Sequence, residues 1–176
     1  YVEKDEWLCA LAKHNFEVLD ASIEVLCKEA EEVLTSTDHV DLIYIDPARR
    51  NEQAKKVFKL ADCTPDISSI QEELLDKAEQ VLVKLSPLLD IKSLLTTLHH
   101  VHTVFVVAVK NEVKELLVLM ERHFDGEQTV SCVNLDQNGE DIFSFDYTEE
   151  AALNLPFSDN KLSLYEPNAA ILKAGA

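Results

Sequence analysis

Runs of strand-like residues alternate along this chain with stretches of helical period, and that alternation leaves few architectures open. It is the pattern of a sheet whose neighbouring strands are joined by crossover helices, so the fold class is α/β. Val40 to Asp46 reads Val-Asp-Leu-Ile-Tyr-Ile-Asp and is apolar on both faces, as a central parallel strand should be. Thr103 to Val109 (Thr-Val-Phe-Val-Val-Ala-Val) is the strongest strand, and Val81 to Leu85 a third. Between them, residues 5 to 19, Glu29 to Leu34, Asp66 to Ala78 and the segment after Asp90 space apolar side chains for helices. Glu112 to Phe124 also fits a helix, with Val113, Leu116, Leu117, Met120 and Phe124 inward. A shorter helix is expected at Glu52 to Leu60, and a short β-branched strand at Ser22 to Cys27. Thr129 to Leu135 and Asp141 to Tyr147 flank Asn138-Gly139, a hairpin signal that predicts an antiparallel edge.

Composition narrows the classes of function. In 176 residues there are 16 Lys+Arg against 33 Asp+Glu, a formal charge of −17, which argues against a nucleic-acid surface spread over the whole chain. A hydrophobic fraction of 47% with 3 Gly and 5 Pro supports a sizeable core. No apolar run is long enough to cross a bilayer, and the acidic start Tyr1-Val2-Glu3-Lys4-Asp5-Glu6 is unlike a signal peptide, so no membrane is expected and the cytoplasm is the expected compartment. Cys9, Cys27, Cys63 and Cys132 are widely separated and read as reduced thiols, three of them in apolar surroundings. The first residue is not Met, and Tyr1-Val2-Glu3 reads like the end of a strand, so the chain is expected to begin inside a larger protein.

The polar residues that interrupt this pattern fall at strand ends. Asp46-Pro47 closes the Val40 strand, and Pro47 biases Asp46 away from helix, so its carboxylate is presented at the carboxyl end, where open α/β sheets bind ligands. Glu3 and Glu29 stand at two earlier strand ends, and carboxylates there accept from ribose hydroxyls or an exocyclic amine. Lys84 lies in an apolar strand just before Ser86-Pro87 and can reach the same edge. Arg49 and Arg50 form a local positive spot that suits a phosphate or carboxylate or pairs with Glu52. His99-His100-Val101-His102 bridges a helix and a strand, so its rings point apart, and with no acid or Cys at ligand spacing no metal is expected.

In this order the strand ends resemble class I S-adenosylmethionine-dependent methyltransferases. Tyr-Val-Glu-Lys-Asp, with Glu3 and Lys4, resembles the end of the family's second strand, whose acid accepts from the adenosine ribose. Lys28-Glu29-Ala30 resembles the adenine-contacting segment after the third strand, although Lys-Glu-Ala replaces Gly-Asp-Ala. Asp46-Pro47-Ala48-Arg49-Arg50 resembles the catalytic-loop motif. Together with Val81 to Pro87, Asn111 to Leu116 and Leu164 to Ala170, it is similar to bacterial methyltransferases bearing a THUMP-like domain. The resemblance implies a Rossmann-like sheet, mostly parallel with an antiparallel edge hairpin. It implies S-adenosylmethionine as cofactor, held by Glu3, Lys4, Glu29, Ala30 and Asp46. Asp46 and Pro47 would act in catalysis, Arg49 and Arg50 would touch substrate, and RNA would be engaged through domains outside this chain.

Two features depart from the family. Ala48 and Arg49 stand where amino-methylating members carry proline and an aromatic ring. The glycine-rich loop after the first strand is absent, since the glycines lie at 126, 139 and 175. The expectation is therefore residues 1–148 as a partial catalytic domain without its first strand and helix, and 149–176 as an extension or linker. Alone it would be inactive, with a gap beside the Val40 strand and self-association through exposed sheet edges. Asp46 and Lys84 are also similar to the phospho-acceptor Asp and the lysine of response-regulator receivers, but the acidic magnesium-binding pair is not evident. The contrasting reading is a non-catalytic α/β interaction module with an acidic surface.

Overall fold

A computed structural model describes residues 1–49, 60–151, 153 and 166–175. They fall into two compact units, Tyr1–His39 and Val40–Ala176.

The first unit is a small βαβα segment. Strand β1 (Val2–Glu3) leads into helix α1 (Glu6–Val18), then β2 (Leu26–Cys27) and α2 (Ala30–Ser36). Asp5 starts α1, its Oδ1 accepting from the backbone N–H groups of Trp7 (2.9 Å) and Leu8 (3.1 Å), which satisfies two of the orphan donors of the first turn. The two strands pair in parallel, Val2 with Leu26 and Glu3 with Cys27, so of the strand expected over Ser22 to Cys27 only the last two residues join a ladder. The unit buries little. Cys9 is inside, whereas Trp7 is 70% and Val18 71% exposed.

The second unit is built on a six-stranded sheet in the order β10-β9-β7-β8-β6-β3. Its strands are β3 (Val40–Ile45), β6 (Ala78–Leu85), β7 (Val101–Val109), β8 (Glu112–Glu121), β9 (Thr129–Asp136) and β10 (Gly139–Asp146). A small ribbon, β4 (Ala48–Arg49) with β5 (Cys63–Thr64), follows β3, with a 3₁₀ turn at Leu60–Asp62. The helices are α3 (Ile67–Lys77), α4 (Ile91–Thr97), α5 (Tyr147–Ala151) and α6 (Ala169–Ala174). Asp66 and Asp90 cap α3 and α4 by accepting from the N–H groups of Ser68 (3.0 Å) and Ser93 (2.7 Å). The helix expected at Glu52 to Leu60 lies outside the described residues except for Leu60. The core is the middle of the sheet, where Val81, Val83, Val104, Val106, Leu116, Val118, Met120, Val130 and Cys132 are buried.

Residues 112–121 are a strand rather than a helix. Leu116, Val118 and Met120 are fully buried and alternate with less buried neighbours, a period of two, although Val113, Leu116, Leu117 and Met120 fit a helical stripe as well. The turn decides between them. Lys110 (φ 51°) and Asn111 (φ 60°) are both left-handed, as a two-residue hairpin needs, and they turn β7 straight back into β8. The sheet is mixed as a consequence. β3–β6 and β7–β9 are parallel, while β6–β8, β7–β8 and β9–β10 are antiparallel. The edge hairpin expected at Asn138-Gly139 is β9–β10.

β3 stands at the border of this sheet and pairs only with β6 among the described residues. None of its six residues is buried, and Leu42 (50%) and Tyr44 (55%) are exposed.

Candidate functional site

Parallel pairing of β3 with β6 brings the carboxyl ends of both strands to one edge of the sheet. Asp46 follows β3 directly, and Lys84 is the penultimate residue of β6. The Lys84 Nζ donates to Asp46 Oδ2 at 2.7 Å, with the two side chains 35% and 51% exposed. That hydrogen bond and the carboxylate charge hold Lys84 protonated above the ordinary lysine range, against the opposing effect of burial. Lys84 is therefore an ammonium at neutral pH, facing the Asp46 carboxylate.

Beside it opens a cavity of about 250 Å³. Asp46 and buried Pro47 form one side, with Lys84 and Leu85 from β6. Ser86, Pro87 and Leu89 add the turn that follows β6, in which the Leu89 N–H donates to the Ser86 carbonyl (3.1 Å). Cys63 contributes a buried thiol from β5. Lys114 and Glu115 close the site from the start of β8, and Lys114 is paired with Glu112 at 2.6 Å. The walls thus carry two ammonium and two carboxylate groups, a lining near neutrality in a strongly acidic chain. A space of this size suits one planar ring or a side-chain-sized group and falls below the range that holds drug-sized ligands.

In the first unit the parallel strands bring Glu3 and Glu29 to the same end of their ladder. Glu3 Oε1 accepts from the Asp5 N–H (2.9 Å), and Lys4 lies 3.6 Å from Glu29. Ala30 opens α2. Two carboxylates and an ammonium at strand ends form a donor and acceptor set that fits the hydroxyls and amine of a nucleoside.

No protein-family model matches the sequence, and no curated protein matches it. Among solved structures the chain is similar to a crystal structure of a "putative methyltransferase" from Porphyromonas gingivalis W83, at a TM-score of 0.84 and 34% sequence identity. The match covers 99% of this chain and 45% of that one, so the chain spans less than half the length of the protein it resembles. The fold is that of a methyltransferase.

On this methyltransferase fold the residues singled out from sequence divide by unit. Asp46, Pro47 and Lys84 meet at the cavity, whereas Glu3, Lys4, Glu29 and Ala30 lie together in the first unit. Arg49 pairs through its backbone with Cys63, and Arg50 lies outside the described residues. The three histidines take separate partners. His99 Nδ1 meets Glu72 Oε1 (3.0 Å), His100 Nδ1 meets the Phe124 carbonyl (2.7 Å) and His102 Nδ1 meets Thr103 Oγ1 (2.7 Å). Sequence reasoning missed Cys63, Leu89, Lys114 and Glu115 as cavity residues. A strand reading of 112–121 would have brought Lys114 and Glu115 to the same edge as Asp46. Nothing local to Cys63 announces its place, since it depends on pairing with Ala48-Arg49, distant in sequence.

Proposed function

We propose that the chain is the part of an S-adenosylmethionine-dependent methyltransferase that holds the methyl acceptor. The observation carrying this is Asp46, set at the carboxyl end of β3 beside a side-chain-sized cavity, on a fold shared at 34% identity with the protein described as a "putative methyltransferase". Glu3, Lys4, Glu29 and Ala30 are the residues of the first unit proposed to hold the cofactor, whose adenosine part the carboxylates suit, and Asp46 is the residue of the second unit proposed to contact it. When bound, that cofactor supplies an electrophilic methyl group on a sulfonium.

The chain's own contribution is positional. Asp46 would accept the hydrogen bond of the acceptor, take that proton once the acceptor gains its new bond, and pass it on to water. Lys84 holds the Asp46 carboxylate through Oδ2, which fixes the direction from which the acceptor approaches. Pro47 removes an N–H that would otherwise compete for the carboxylate. Buried Leu85, Leu89 and Pro47 exclude water from one side, and orienting two reactants in a partly dry site supplies much of such a rate enhancement. No covalent enzyme intermediate is required. The substrate proposed is RNA, engaged through Arg49 and Arg50 and through domains outside this chain, and the setting proposed is the cytoplasm. No helix among the described residues is long and apolar enough to cross a membrane.

The test is calorimetric titration of S-adenosylmethionine into this chain and into the longest polypeptide its gene encodes. Binding to either supports the reading, and binding to neither overturns it. The exposed border of β3 favours a second reading, a non-catalytic interaction module that self-associates through this strand. Light scattering showing a monomer that unfolds cooperatively would remove that alternative.

A further inference from the structure

Helix α6 has six residues, yet it is fixed with unusual thoroughness. Asn168 caps it, its Oδ1 accepting from the N–H groups of Ala170 and Ile171 at 3.1 Å each. Gly175 (φ 83°) closes the other end by donating to the carbonyls of Ile171 (3.1 Å) and Leu172 (3.3 Å). Ala170 is wholly buried where the helix packs on β7, β8 and β9. Three further hydrogen bonds reach away from this packing, one of them from Asn168 Nδ2 to Asp141 Oδ2 (3.2 Å) on β10. The Ala169 N–H donates to Asn111 Oδ1 (2.7 Å), in the β7–β8 turn. The Lys173 Nζ donates to the Leu89 carbonyl (2.7 Å), in the turn after β6.

Both receiving turns lead to walls of the Asp46 cavity. Leu89 lines it and closes the turn that carries Ser86 and Pro87, while Asn111 stands at the turn that feeds Lys114 and Glu115 into it. Asn111 is itself held from behind, its N–H donating to Asn134 Oδ1 (2.9 Å) on β9. We infer that α6 is a brace that sets the width of the Asp46 cavity, with Lys173 and Asn111 as its positioning residues. The meaning of this for catalysis rests on the methyl-transfer reading; the brace itself does not. Sheet pairing fixes the strand ends at Asp46 and Lys84 and holds Glu115 opposite Val107, but it leaves two parts of the facing wall to other contacts: the turn after β6, with Ser86, Pro87 and Leu89, and the β7–β8 turn that leads to Lys114, which the register skips. α6 is what spans them. A lysine serves at position 173 because the bond must reach from the last turn of a helix to a carbonyl on another element, and a charged donor strengthens it.

Thiol labelling measures this without a substrate. Cys63 lines the cavity, and Cys132 lies buried in the sheet, where burial pushes its thiol up to about 11. The chain and its Lys173→Met and Asn111→Gly variants, the glycine keeping the left-handed turn while removing the acceptor, are treated with iodoacetamide, and labelling at each cysteine is read by peptide mass spectrometry. The ratio of Cys63 to Cys132 labelling is expected to rise about fivefold in each variant, the local opening that loss of one hydrogen bond permits. Lys173→Arg, which keeps the charged donor, is expected to restore the original ratio. An unchanged or falling ratio overturns the brace, because it would mean that α6 merely covers the sheet or that the unit opens as a whole. Failure of arginine to restore the ratio overturns the assignment of Lys173. Since labelling needs no cofactor, a negative S-adenosylmethionine titration leaves this result untouched.

Discussion

Strands β3 and β7 are close in composition and opposite in circumstance. Both are rich in β-branched and aromatic residues, and both sit in the same sheet. β7 lies between β8 and β9 and buries Val101, Thr103, Val104, Val106 and Ala108. β3 has β6 on one side, and every one of its side chains keeps some contact with solvent. An apolar strand therefore reports the neighbours it suits, while its burial reports the neighbours it has. The same residue types stabilise the fold in one place and leave a surface for contact in the other.

The sharpest way to break this contrast is to place one charge in each strand. Val106→Asp in β7 leaves an unpaired carboxylate in the middle of the core and is expected to cost more than about 4 kcal/mol, enough to abolish cooperative thermal unfolding by circular dichroism. Leu42→Asp in β3 is expected to keep the folded signal and to cost less than about 1 kcal/mol. Comparable losses at the two sites would show that β3 is covered after all.

The strand between β6 and β7 sharpens the same point. Leu116→Ala or Met120→Ala in β8, both fully buried, is expected to cost roughly 2 to 5 kcal/mol in urea titration. A helix with these residues on one face would show an equal loss for Val113→Ala, whereas the strand puts Val113 near the solvated start of β8, where the loss should be smaller.

Alkaline pH gives a smaller effect with a definite sign. Burial raises the Cys132 thiol from 9.0 to about 11, so between these values the unfolded chain releases a proton that the folded chain keeps. Stability is then complete below about pH 9 and falls as pH rises toward 11. Melting temperature measured across this window should drop less steeply for Cys132→Ala than for the parent chain. Lys84 adds to the same decline, because its raised value means that its bond to Asp46 is fully present below the usual lysine range and is lost above it.

The least effect on stability is expected at the proposed site. Lys84→Met and Asp46→Asn remove an ion pair whose partners are 35% and 51% exposed, worth less than about 1 kcal/mol after solvent screening. Both variants should melt within a few degrees of the parent. If either unfolds the protein, the pair is part of the core and the functional reading of this edge fails.

Much of this arrangement could be read from the chain, and what could not has physical causes. The aspartate-capped helices announce themselves because capping needs only a few consecutive residues. β3, β6 and β7 do so because their apolar runs are long and rich in β-branched side chains. The place of Asp46 at the carboxyl end of β3 is legible as well, since Pro47 has no N–H with which to continue a ladder. β8 is not, because Leu116 to Met120 is continuously apolar and satisfies both periods, and the Lys110-Asn111 turn reaches the left-handed region without glycine. Lys114 and Glu115 were hidden by that same ambiguity. Lys173 and Asn111 were hidden for another reason: their partners are 84 and 58 residues away, and no local pattern encodes a bond of that span.

The border at β3 also ties the protein's behaviour to the solution around it. Two copies can approach along this strand only against the repulsion of a chain carrying −17. That repulsion reaches about 30 Å in 0.01 M salt and about 8 Å in 0.15 M. In dilute buffer the charge opposes such an approach at long range; near physiological ionic strength that opposition is confined to short range. Any association along β3, where Leu42 and Tyr44 are exposed, is therefore expected to strengthen as salt is added.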